Sequence, residues 1–107
     1  MDDSSIPERY LEVKKQYPDL FSHYEQLGES TVTAGPLNKK SVYLVKLAFA
    51  AAAGIQGATH AHTRKCLSSG YTPEEIRHAV ICGVTTLGMP TMMRALSWVD
   101  DEIKKIE

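Results

Sequence analysis

Residues 54–70 read GIQGATHAHTRKCLSSG and are followed by YTPEEI, residues 71–76. The punctuation of this stretch decides the fold. Gly54 and Gly57 bracket a break, after which Ala58 to Ser69 are expected to form a short helix. That helix should end at Gly70, because glycine takes the left-handed C-terminal conformation at no steric cost. Thr72, Pro73 and Glu75 then announce the next helix, with Thr72 as N-cap, Pro73 in the first turn and Glu75 completing a capping box. A tight αα-hairpin around Gly70 follows.

Downstream, Ile76, Ala79, Val80, Gly83, Val84 and Leu87 recur at helical spacing, and Gly83 is expected to allow a close helix crossing. Gly88, Met89 and Pro90 break this helix. Met92, Leu96, Val99, Ile103 and Ile106 mark the apolar stripe of a last one. Upstream, Val42 to Ala53 carry Lys46 as their only charge, which predicts a helix buried nearly all round. A chain of 107 residues has little else to cover so much apolar surface, so self-association is expected. Further upstream, Ser5 can cap a first helix with Pro7 in its first turn, Pro18 can start a second, and Thr31 to Asn38 read as its exit loop. Nothing alternates apolar and polar long enough to make a strand. The expected fold is an all-α bundle of about six helices with a central αα-hairpin. It divides into an N-terminal helical arm (1–37) and a helical core (38–107) within one domain.

The formal charge of −1, with acids and bases interspersed, gives no field to draw the protein to nucleic acid or an anionic membrane. The start, MDDSSIPERY, lacks the basic and apolar regions of a secretion signal, and the apolar run after Val42 is too short and interrupted to span a bilayer. A soluble, cytoplasmic protein is expected, with Cys66 and Cys82 as free thiols.

The titratable candidates lie in the hairpin. His62 can move a proton near neutral pH, since an unperturbed imidazole titrates near about 6.5. The competing reading is a structural histidine bonded to a backbone carbonyl. Cys66, four residues on, shares a helix face with His62, which could stabilise a thiolate; the alternative is a small buried side chain. His78 and Cys82 repeat that spacing on the next helix. If the two faces met, these two imidazoles and two thiols would suit tetrahedral zinc. Such spacing recurs by chance, and no metal or cofactor is assigned. His60, about 200° around the helix from His62, is a secondary pocket candidate. Glu74 and Glu75 favour the first turn of their helix electrostatically, which makes their use structural. Met89, Met92 and Met93 beside Trp98 could line a flexible apolar pocket, and Arg64, Arg77 or Arg94 could grip a carboxylate in a bidentate fork.

With these pieces in place, Lys39 to Val99 resembles the carboxymuconolactone decarboxylase superfamily, which includes the AhpD-like alkylhydroperoxidases. The resemblance rests on the alanine-rich helix, the histidine-bearing helix, the junction from His62 to Ile76, and Gly88-Met-Pro90 opening the last helix. In the alkylhydroperoxidase branch a glutamate, a CxxC pair and a histidine would fall on Tyr43, Ile55, Ala58 and His62, and only the histidine matches. A dithiol mechanism needs two sulfurs, so that activity is not expected. The decarboxylase branch lacks the cysteine pair and is the more similar. It often carries Glu and His at the positions of His78 and Cys82. The resemblance implies a trimeric or hexameric homo-oligomer acting on a small organic acid or lactone. His62 would move the proton, and Cys66, His78 or Cys82 would shape the pocket. Two alternatives stand beside it: a single-thiol peroxidase or reductase using Cys66, which needs an external thiol to resolve its sulfenic acid, and a binding or scaffold subunit that kept the assembly and lost catalysis.

Overall fold

The computed structural model describes residues 6–107 and holds seven helices among them, with no strand. The chain divides into two compact units, one up to Lys39 and one from Lys40 to Glu107.

In the first unit, α1 (Glu8–Gln16) and α2 (Pro18–Thr33) meet at Tyr17. The residue before a proline is pushed from helical geometry, and Tyr17 takes φ −130° with ψ 64°. Tyr10 meets Phe21 edge to face with centroids 5.1 Å apart, and Lys14 pairs with Glu25 at 2.7 Å. Neither helix contains a buried residue. The first helix begins after Pro7, whereas the proposed Ser5 cap lies outside the described residues. The expected exit loop is shorter than predicted, because α2 runs on to Thr33.

The second unit contains α3 (Lys39–Ala53) from its second residue on, α4 (Gln56–Ser68), α5 (Pro73–Ile81), α6 (Val84–Leu87) and α7 (Met89–Lys104). Three glycines with positive φ set its corners: Gly54 at 70°, Gly70 at 96° and Gly88 at 88°. Gly57, expected to share the first break, is inside α4 instead. The capping box is complete: the Glu75 amide donates to Thr72 Oγ1 at 3.1 Å, and the Thr72 amide donates to Glu75 Oε1 at 2.8 Å. The helix it starts is shorter than its apolar pattern predicts, because the chain turns at Cys82 and Gly83 before α6. A Cβ at Gly83 would crowd Leu87 Cδ1 at 3.0 Å and the Val80 carbonyl at 3.2 Å. Gly83 thus relieves a local turn, and a close helix crossing is not its role.

The core gathers Leu47 and Ala51 from α3, Cys66 from α4, Ile76 and Val80 from α5, and Met92, Ala95, Val99 and Ile103 from α7. Each fully buried aliphatic side chain among them contributes about 1.5–3 kcal/mol. Helix α7 follows its predicted stripe as far as Ile103, while Ile106 lies beyond the helix and is exposed. Within the single chain, α3 leaves uncovered part of the apolar face for which self-association was expected. Only Leu47, Ala50 and Ala51 are buried, and Val45 and Phe49 face solvent in the single chain, Phe49 at 72% exposure. No helix among the described residues is long and apolar enough to cross a membrane.

Candidate functional site

Helix α4 presents its predicted histidines to different surroundings. Its interior face is Thr59, Thr63, Arg64 and Cys66, an unusually polar core face. The two threonines satisfy their hydroxyls locally, Thr59 Oγ1 donating to the Ile55 carbonyl at 2.8 Å and Thr63 Oγ1 to the Thr59 carbonyl at 2.7 Å. Three consecutive acids of α7 fan out to hold the neighbouring helices. Asp100 accepts from Arg77 Nε at 2.8 Å, Asp101 meets His60 Nε2 at 2.9 Å, and Glu102 accepts from Arg64 Nη1 at 3.3 Å. His60, a pocket candidate on sequence, is therefore held to α7 by a carboxylate.

His62 lies on another face and is half-buried. Burial holds its imidazole below the usual 6.5, and the ammonium groups of Lys46 on α3 and Lys65 on α4 push the same way. The shift favours the neutral ring, the form that can accept a proton. Sequence reasoning noted Lys46 only as the lone charge of its helix and tied neither lysine to His62, yet a signal existed: no Asp or Glu occurs between Glu29 and Glu74. The segment that forms α3 and α4 supplies cations around His62 and no carboxylate of its own. Lys65 lies over the Tyr43 ring at 5.6 Å and Lys40 over the Tyr71 ring at 4.4 Å, so aromatic faces order part of this basic surface.

Cys66 is placed otherwise than a nucleophile requires. It is fully buried within the apolar core, and burial pushes its thiol up to about 11. The imidazole four residues away does not offset this. Of the two readings the sequence left open for Cys66, its burial and raised pKa favour the small core side chain over the activated thiolate. Cys82 and His78 are exposed. The two His–Cys pairs consequently do not converge, and no group of three or more His, Cys, Asp or Glu is placed to hold a metal among the described residues. One consequence is measurable: a thiol reagent should titrate Cys82 rapidly in the native protein and reach Cys66 only on unfolding. Two thiols reacting at equal rates would contradict this placement.

A cleft of about 520 Å³ lies within the first unit, lined among others by Glu8, Glu12, Lys15, Pro18 and Ser22. None of the five sequence candidates borders it, and its charged groups include the paired Lys14 and Glu25. Size alone gives it no chemistry.

Comparison with known proteins adds an independent line. The profile described as the carboxymuconolactone decarboxylase family matches residues 18–101. An uncharacterised protein of Methanocaldococcus jannaschii is 29% identical over 92 residues, covering 85% of this chain and 86% of that protein. A crystal structure of a carboxymuconolactone decarboxylase family protein from Legionella pneumophila superposes with a TM-score of 0.81 at 21% identity, over 99% of this chain and 100% of that one. At that identity the likeness concerns the fold.

Proposed function

Since the chain belongs to the carboxymuconolactone decarboxylase family, we propose that it acts on a small organic acid or lactone, with His62 taking a proton from carbon next to a carbonyl. What carries this reading is the half-buried imidazole, its pKa lowered by burial and by the ammonium groups of Lys46 and Lys65. A general base works best when its free form dominates at the working pH, and adjacent ammonium groups stabilise both an anionic substrate and the enolate that proton removal creates. Loss of carbon dioxide from a β-keto or vinylogous acid passes through the same kind of anion. The two lysines therefore serve either outcome.

The single-thiol alternative is not favoured, because a buried thiol pushed up to about 11 is protonated at neutral pH. We also propose a homo-oligomer, supported by the apolar side chains Val45 and Phe49 that α3 leaves uncovered in one chain. A cytoplasmic setting suits two unpaired thiols.

The test is deuterium wash-in. Protein is incubated in heavy water with a panel of small keto acids, unsaturated acids and γ-lactones, and the recovered compounds are weighed by mass spectrometry. Enzyme-dependent label at a carbon next to a carbonyl, or loss of carbon dioxide, is expected for at least one carboxylate-bearing compound. No exchange and no turnover across the panel, by an intact folded protein, would leave the scaffold reading.

A further inference from the structure

Of the three arginines in the second unit, Arg64 and Arg77 are neutralised by Glu102 and Asp100. Arg94, on α7, is different. Its guanidinium carbon lies 5.2 Å from the centre of the Trp98 ring, one turn further along the same helix. On another side it lies across the turn between α3 and α4: a Cβ at Gly54 would collide with Arg94 Nη2 and stand 3.4 Å from Cζ. The φ of 70° at Gly54 favours glycine, and the guanidinium lies in the space a side chain there would take.

Arg94 makes no ion pair with a carboxylate of the described residues. The chain also has little to offer it locally. No acid occurs between Glu29 and Glu74 on the side of Gly54, and none between Glu75 and Asp100 around Arg94 itself. Asp100, Asp101 and Glu102, the next acids along α7, are each bonded to another base. An arginine normally loses much rotamer freedom when it grips a carboxylate, and one already held against a ring and a backbone turn has lost part of that freedom beforehand.

We infer that Arg94, backed by Trp98 and Gly54, is an anion-binding site for an organic carboxylate. The guanidinium fork takes the carboxylate. This site is independent of the His62 reading, and each can fail without the other.

Trp98 is the sole tryptophan of the chain, so its emission reports on this site directly. The probes are benzoate and its neutral counterpart benzamide, titrated against the full chain at constant ionic strength. Benzoate is expected to change the emission saturably and benzamide to leave it unchanged. Arg94→Gln should abolish the response, and Arg94→Lys should weaken it several-fold, because an ammonium keeps the charge and loses the fork. His62→Gln should respond like wild type. Equal responses to benzoate and benzamide, an undiminished response in Arg94→Gln, or no response at all would overturn the proposal. So would an emission that shifts with protein concentration and ignores benzoate, since a carboxylate from a second copy would then be the partner.

Discussion

Glu102→Ala is expected to destabilise the protein by about 3–5 kcal/mol. The Glu102 side chain is 2% exposed and that of Arg64 10%, and they meet at 3.3 Å between α7 and α4. The other carboxylate oxygen accepts from Lys105 Nζ at 2.9 Å. Removing Glu102 strands the guanidinium where water cannot replace the lost partner, which is why the expected cost far exceeds that of a surface pair, about 0–1 kcal/mol. For a domain whose whole stability is on the order of 5–15 kcal/mol, this is a large share. Urea unfolding measures it as a fall in midpoint at unchanged slope. The double replacement Arg64→Met with Glu102→Leu should recover most of the loss, because no uncompensated charge is left inside. Asp101→Ala should cost much less, since its partner His60 retains access to solvent. If Glu102→Ala cost no more than Asp101→Ala, the ion pair would not be the clasp between these helices.

His62→Gln is expected to slow proton exchange on an accepted substrate by about 10²–10⁴-fold with the fold intact. Glutamine keeps hydrogen-bonding capacity and cannot titrate. Because His62 is outside the buried core, the substitution should leave the unfolding midpoint nearly unchanged. Stability then separates a lost base from a lost fold. Full exchange activity in a folded His62→Gln protein would assign the chemistry to another group.

The elements that sequence reasoning placed well depend on chemistry between near neighbours. The Thr72–Glu75 box, the left-handed Gly70, the Pro18 helix start and the Gly88–Pro90 junction each state their conformation within a few residues. What escaped depends on what lies across space. The apolar pattern over Ile76 to Leu87 does not reveal that the backbone turns at Cys82. The fate of Cys66 was hidden for a related reason. The inner face of α4 is built from Thr59, Thr63 and Arg64, so hydrophobic periodicity could not show which side points inward. His62 stood out as a residue, but its character comes from Lys46 on a different helix and from burial, neither visible in local spacing. The long acid-free segment was the one sequence signal for that electrostatic setting.

The lowered imidazole also fixes a sign for pH dependence. A histidine whose folded pKa lies below its unfolded value takes up a proton more readily when unfolded. Its contribution to stability is therefore present at neutral pH and is lost as pH falls through 6.5 toward the folded value. Activity carried by the neutral ring should keep its acid limb below 6.5 for the same reason.

The most direct measurement is the titration of the His62 ring by NMR, assigned with His62→Gln and repeated in a Lys46→Met, Lys65→Met protein. The predicted result is a midpoint below 6.5 in wild type that moves upward, without losing all of the depression, when the two ammonium groups are removed, because burial remains. A midpoint at or above 6.5 in the folded wild-type protein, unmoved by loss of both lysines, would contradict the neutral, cation-flanked base on which the functional reading stands.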